Sequence, residues 1–519
     1  MNGAQALMRT LVDAGVTTCF TNPGTSEMHF VAALDSEPNM RAVLALFEGV
    51  ATGAADGYAR MADRPAATLL HLGCGIGNGL ANLHNARKAK VPVINIVGDH
   101  ATHHVQHDTQ LQSDIETVAR NVSPWVRTSQ SAQELGRDAA EAIKAAHGSP
   151  GQVATLILPA DVSWNEGAEP GAPLSVTPPS AVPATSVERG AAALASGRKT
   201  ALLLGGRALR ADPLRLATRI AEATGATLLG EVFPTRWERG AGVPQVQRLA
   251  YLAEFAATQL EGFDHLLLVD AKAPVSFFAY PGKESYLVPD GCAVHELVAP
   301  TDDIQGTLEA LADAVDAREV EAPAARPFRP DKPTGPLTAD KVCQAIGAVL
   351  PERAIISDES NTSGLSLSAH TAGAPRHDVL TLTGGAIGQG LPVAVGAAVA
   401  CPDRPVFALE GDGSAMYTIQ SLWTMAREQL DITVVIFNNR SYAILNLELQ
   451  RVGAGAAGPK AKAQLDLGDT RLDFVSIGEG FGVPSVRVDT AEELNEALER
   501  AIAEPGPHLV EVVVPSLAL

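Results

Sequence analysis

Aromatic residues make up only 4% of this 519-residue chain, and cysteine is scarce. The five cysteines, Cys19, Cys74, Cys292, Cys343 and Cys401, are scattered, odd in number and never spaced C-x-x-C. That pattern excludes a disulfide framework and a cysteine-built zinc site. Basic residues are also short: 39 Lys and Arg against 59 Asp and Glu give a net charge of −20, which argues against nucleic acid or an anionic membrane as a partner. There is no run of ~18 apolar residues to span a bilayer. The opening MNGAQALMRTLVDAG reads as an amphipathic helix rather than a secretory leader, so a cytoplasmic location is expected. No internal repeat and no low-complexity segment stands out.

What the chain does have is small apolar residues. Hydrophobic residues reach 46%, dominated by Ala, Val and Leu, a composition suited to parallel sheets covered by closely packed helices. The length predicts about three domains. Two proline-rich stretches, 164–187 and 319–336, cannot continue helices or central strands and read as linkers. They separate blocks at 1–165, 188–318 and 337–519. Strand and helix patterns alternate in each block, so the expected fold is α/β with three doubly wound parallel sheets.

The most informative motif is Gly411-Asp412-Gly413-Ser414, followed 27 positions after Asp412 by Asn439 in Asn438-Asn439-Arg440-Ser441. Residues 405–410 form an apolar run that reads as a buried strand, Thr418 to Glu428 carries helical periodicity, and Ile432 to Phe437 is a second β-rich run. Asp412 and Asn439 therefore fall at the carboxyl ends of parallel strands, where open α/β sheets place ligands. A carboxylate, an amide oxygen and a backbone carbonyl suit a hard cation such as Mg²⁺, which usually shares its ligands with a phosphate.

On these residues the chain resembles the thiamine diphosphate enzymes of the acetolactate synthase, pyruvate decarboxylase and benzoylformate decarboxylase group. The resemblance implies that Asp412, the Asn439 side chain and the Ser441 carbonyl hold Mg²⁺ while Gly411 to Ser414 receive the diphosphate of the cofactor. It names the three blocks pyrimidine-binding, central and diphosphate-binding domains. It implies a homodimer or homotetramer whose active sites lie between subunits, because the first and third domains must touch one cofactor.

A second element, LALFEGVATGAADGYAR at 44–60, agrees. A short strand (Val43 to Phe47) is expected to deliver Glu48 to the start of a helix, where an acidic residue is favoured by the helix dipole. The resemblance implies more: Glu48 bonds N1′ of the aminopyrimidine and helps remove the C2 proton. Asn22-Pro23-Gly24-Thr25-Ser26-Glu27 is similar to the NPGSNE segment of benzoylformate decarboxylases, which places Thr25 at the active-site mouth. Ile387, in TGGAIGQGLPVAVGAA (383–398), is similar to the apolar residue that wedges the cofactor into a V shape. His71 ends a strand (Ala67 to Leu72) before a glycine-rich turn at 73–79 and matches a catalytic histidine of benzoylformate decarboxylases.

That glycine-rich stretch invites a rival reading as a dinucleotide fingerprint. The motif fails, because Asn78 stands where the third glycine of G-x-G-x-x-G belongs. A cofactor-binding homologue without catalysis is disfavoured by the presence of Glu48.

The resemblance implies a 2-oxo acid as substrate and non-oxidative decarboxylation through a carbanion-enamine. The outcome is then an aldehyde or, with a second carbonyl compound, carboligation as in acetolactate synthase. His71, Leu111 and the GDGSAMYTIQSLW segment favour the decarboxylase. Against it, the stretch Pro274 to Tyr280 lacks the second histidine of benzoylformate decarboxylases. His100, His103, His104 and His107 crowd one loop without the spacing or carboxylates of a metal site, reading as a proton-handling or solvated loop. Ile444, Leu445 and Glu448 are expected to line the substrate pocket, and an unpaired carboxylate at Glu448 would disfavour an apolar substrate. It reads equally as an exposed helix charge. FAD, which some synthases carry, has only the weak signal of the Leu204-Gly205-Gly206 turn.

Overall fold

The computed structural model describes residues 1–454 and 458–516. Three sheets account for its strands. The first is six-stranded and wholly parallel, in the spatial order Arg41–Leu44, Thr18–Asn22, Ala66–Leu70, Val93–Asp99, Val153–Pro159, Trp125–Thr128. The second has five parallel strands, among them Thr200–Leu204, Thr227–Gly230 and His265–Val269. The third has seven: Ser485–Val488, His508–Val513, Ile432–Asn438, Val406–Gly411, Ile355–Glu359, His377–Thr381 and Trp237–Arg239.

The last strand departs from the expected pattern. Trp237–Arg239 lies between strands of the second sheet in sequence, yet it pairs antiparallel with His377–Thr381 at the edge of the third. Arg236 anchors the crossing, its guanidinium 2.5 Å from Asp378. The proline-rich stretches carry no regular strand and make isolated bridges, such as Ser180 with Asp302 and Pro336 with Thr490, but the first ends sooner than expected, since the helix Ala184–Leu194 starts within it. Among the described residues, no helix is long and apolar enough to cross a membrane.

The first and third sheets share one core. The helix Glu48–Ala62 lies against the helix Gly390–Ala400, and small residues permit the approach: a Cβ on Gly57 would stand 2.1 Å from the Val393 carbonyl oxygen, and one on Gly396 1.9 Å from that of Ala54. Gly390–Ala400 has almost no polar face and is buried nearly throughout, as a helix between two sheets must be.

Several expected boundaries shift. The strand before His71 stops at Leu70, and the glycine-rich stretch 73–79 is not a turn but the opening of the helix Leu72–Ala89. Its first turn is closed by Gly75 N–H donating to the His71 carbonyl at 2.7 Å. Glycine serves packing here: the Cβ position of Gly79 lies 2.8 Å from Thr52 and that of Gly75 3.3 Å from Glu48. The strand before Glu48 ends at Leu44, and Thr418 to Glu428 becomes a helix only from Ser421, with a separate short helix at Asp412–Ala415.

Candidate active site

The strand Val406–Gly411 ends at Gly411, and the chain turns at once into Asp412–Ala415. Asp412 is 2% exposed, accepting the N–H of Gly413 (2.9 Å) and of Arg440 (2.6 Å). Burial pushes its carboxyl up to about 6 against those two stabilising bonds. Among the described residues no Lys, Arg or His pairs with it. A buried carboxylate with no countercharge is the environment a divalent cation relieves, and the Asp412 loop fits Mg²⁺ on that ground. Asn439 Oδ1 accepts the Ser441 N–H at 2.9 Å, which holds its amide oxygen and the Ser441 backbone on one loop. A Cβ on Gly413 would stand 2.4 Å from the Tyr442 ring, so Gly413 is required for Asp412 and the Asn439–Ser441 loop to meet.

Ile387 is half-buried, on a loop held from both sides. Asn85 donates to the Ala386 carbonyl (2.8 Å), and Glu359 accepts the N–H of Gly388 (2.7 Å) and Gly390 (2.6 Å). Glu359 faces Glu410 across neighbouring strands, and burial raises both carboxyls. Sequence reasoning missed Glu359; its only local sign is an acid closing a short strand, Ile355–Glu359, that begins with two isoleucines. Phe277, from the stretch that lacks the second histidine of benzoylformate decarboxylases, lies over Gly385, where a Cβ would stand 2.5 Å from the ring.

Glu48 is the first residue of its helix, 8% exposed, and accepts a hydrogen bond from Asn78 Nδ2 at 3.0 Å. Among the described residues no hydrogen bond joins it to the cluster of Asp412, Asn439 and Ser441. His71 stands just before the helix Leu72–Ala89, and Leu72 takes a left-handed φ of 50°, a strain that L residues adopt rarely. The imidazole Nδ1 lies 2.8 Å from Glu27 Oε2 and 3.4 Å from Ser26 Oγ. Glu27 is wholly buried and also accepts the Gly24 N–H at 2.6 Å. The turn thus contributes Glu27 and Ser26 to the histidine, whereas Thr25 is exposed and, among the described residues, makes no side-chain hydrogen bond.

Leu111 is 39% exposed, on a loop whose Ser113 abuts Gly73 at the start of the His71 helix. Ile444 is half-buried and Leu445 exposed in the first turn of the helix Ala443–Arg451. Glu448, in its last turn, is not an exposed charge: Oε1 lies 2.7 Å from Arg451, which donates to the Tyr280 hydroxyl at 2.9 Å and sits 4.2 Å from the centre of that ring. Burial, then the Glu448 bond, pushes Tyr280 up to about 12. His103, His104 and His107 are exposed and His100 is half-buried; the rings of His100, His104 and His107 meet at tilted and edge-on angles with centroids 5.4 and 5.6 Å apart, and His103 lies 3.9 Å from Asp161. Among the described residues no group of His, Cys, Asp and Glu is arranged to hold a metal by itself.

The Gly205-Gly206 turn does not fit a flavin nucleotide. Gly206 N–H donates to Glu231 (2.6 Å) and Arg207 N–H to Asp270 (2.9 Å), so the amides that would receive a diphosphate are taken by two carboxylates. A Cβ on Gly206 would stand 2.1 Å from Asp270 Oδ2, and Lys90 of the first block closes on Asp270 at 3.0 Å.

Comparison with known proteins agrees with this geometry. Residues 1–119 match the thiamine pyrophosphate enzyme N-terminal TPP binding domain, and residues 363–512 match the corresponding C-terminal TPP binding domain. The chain is 60% identical, over the full length of both, to a Mycobacterium tuberculosis protein provisionally named acetolactate synthase large subunit IlvX. It is 31% identical to a benzoylformate decarboxylase of Pseudomonas aeruginosa, covering 96% of each. A solved Rhodococcus jostii thiamine diphosphate-dependent 4-hydroxybenzoylformate decarboxylase superposes with a TM-score of 0.87 at 25% identity over 99% of both chains.

Proposed function

The chain belongs to the thiamine pyrophosphate enzymes, and from that premise we propose that it removes CO₂ from a 2-oxo acid and releases an aldehyde, using thiamine diphosphate and Mg²⁺. The observation that carries this choice is His71, held at Nδ1 by buried Glu27. When bound, the cofactor supplies a place for negative charge on the former carbonyl carbon. The chain's own residues bind, orient and move protons. Asp412, Asn439 and Ser441 would hold Mg²⁺, and Gly411 to Ser414 the diphosphate. Ile387 would press between the two rings of the cofactor. Glu48 would exchange a proton with pyrimidine N1′. His71, its Nδ1 occupied by Glu27, has Nε2 left to deliver a proton to the carbon that has lost CO₂.

An aryl 2-oxo acid is favoured as substrate. Phe277 packs with Phe278, Phe233 and Tyr251 beside the Ile387 loop, and pairing of Glu448 Oε1 with Arg451 reduces the charge penalty expected of Glu448. A homodimer or homotetramer with active sites between subunits is part of this reading, as membership of the family implies. No flavin is proposed, given the occupied Gly206 turn. The second reading, carboligation to a 2-hydroxyketone, is favoured by the name of the 60% identical relative. A screen of CO₂ release over aliphatic, aromatic and polar 2-oxo acids, with products identified, separates the two. Aldehyde as the main product from an aryl 2-oxo acid supports the first, and 2-hydroxyketone from a small aliphatic one the second.

A further inference from the structure

The carboxyl ends of Ile432–Asn438, Ser485–Val488 and His508–Val513 enclose a cavity of about 300 Å³, the lower end of the ~300–1,000 Å³ usual for small-molecule sites. Neither Asp412, Asn439 nor Ser441 lines it. It is bordered by three guanidinium groups, Arg440, Arg471 and Arg487, in a chain that is otherwise strongly acidic. Arg487 is spoken for: it grips buried Glu511 with two hydrogen bonds of 2.9 and 2.7 Å, and Asn438 caps the other Glu511 oxygen at 2.7 Å. Arg440 and Arg471 are exposed, and among the described residues neither has a carboxylate partner. Asp489 is the one other acid in the lining.

Arg440 has a left-handed φ of 58°, a backbone conformation glycine adopts at lower cost, and its N–H donates to Asp412 at 2.6 Å, which leaves the side chain free on the other side of the turn's backbone. Its stem runs beside Gly468, whose Cβ position is 3.6 Å from Arg440 Cβ, and its carbonyl accepts the Leu467 N–H at 3.0 Å; both neighbours line the cavity. Two unpaired planar forks at the mouth of a polar cavity at strand carboxyl ends form a receptor for oxygen anions.

We propose that this cavity binds a small organic dianion, carried on a phosphate monoester or on a pair of carboxylates, through Arg440 and Arg471. The cavity shares the Asn438–Ser441 loop with the proposed metal site, but none of Asp412, Asn439 and Ser441 lines it, and the proposal does not depend on the reaction proposed above.

The test is calorimetric titration of the full chain with glycerol 3-phosphate, with succinate and with glycerol, in the presence and absence of thiamine diphosphate and Mg²⁺. One of the two dianions should bind while glycerol does not, and saturation with cofactor should not displace it. Arg471→Ala, an exposed substitution, should weaken binding about tenfold or more, the scale of one lost charge-assisted pair, and Arg471→Lys less. The phosphate and dicarboxylate titrations identify the carrier. No binding of either dianion up to ~10 mM, unchanged affinity in Arg471→Ala, or displacement by the cofactor each overturns the assignment.

Discussion

Glu27 Oε2 stands 2.8 Å from His71 Nδ1, a contact between a wholly buried carboxyl and a half-buried imidazole 44 positions apart. A carboxyl in that position fixes the ring and its tautomer, as orienting acids do for catalytic histidines in general. His71→Ala should slow aldehyde release more than loss of CO₂ and raise the share of 2-hydroxyketone when an aldehyde acceptor is added. Glu27→Gln, which keeps the shape, should move the product ratio in the same direction by a smaller amount. An unchanged ratio alongside a loss of stability would make His71 a packing residue.

Asp412 is the one charged group in its loop, so Asp412→Ala should abolish Mg²⁺-dependent binding of thiamine diphosphate. Because among the described residues its buried carboxylate has no countercharge, Asp412→Asn should leave the melting temperature of the cofactor-free protein level or higher. Calorimetry and thermal melts check both; wild-type cofactor affinity in the alanine variant would remove Asp412 from the metal site.

Glu48→Gln preserves the Asn78 contact geometry but cannot exchange a proton. Hydrogen exchange at C2 of the bound cofactor should slow by roughly a hundredfold or more, with a much smaller effect on cofactor affinity. The readout is C2 deuterium exchange followed by NMR, and a near-wild-type rate contradicts the role.

Glu231 gives a pH prediction. Burial is the main cause that pushes its carboxyl from 4.5 to about 7. Between those values the folded chain keeps a proton that the unfolded chain has released. Stability from this group is therefore full below pH 4.5 and lost as pH rises through about 7, on the order of 3 kcal/mol in all. Glu231→Gln should melt higher than wild type at pH 8, and the difference should shrink toward pH 5. A difference that does not vary with pH would show that Glu231 does not titrate in this range.

Much of the candidate site was legible in local sequence because its parts are strand-end loops. The apolar runs before Gly411 and up to Asn438 specify buried parallel strands, and residues at the ends of such strands must fall at one edge of the sheet. Asp412, Asn439 and Ser441 could therefore be grouped without knowing how the helices pack. The same logic places Glu48 at a helix start, whatever the length of the strand before it.

Tertiary structure decided what depends on packing between distant segments. Glycines at 73–79 read as a turn until helix and strand are stacked, when Gly75 and Gly79 prove to be the places where Glu48 and Thr52 come close. Glu448 looked like a free charge because Arg451 and Tyr280 meet it only when the middle stretch folds onto its helix, and the aromatic Tyr280 is 168 positions away. The Gly205-Gly206 turn kept a flavin open until Glu231 and Asp270, each just past the end of a neighbouring strand, filled the Gly206 and Arg207 amides. Sequence by itself determined which groups lie at which strand ends, since that follows from periodicity along the chain. Which of them are paired, buried or left unsatisfied was set by side chains arriving from elsewhere, and no local pattern encodes those partners.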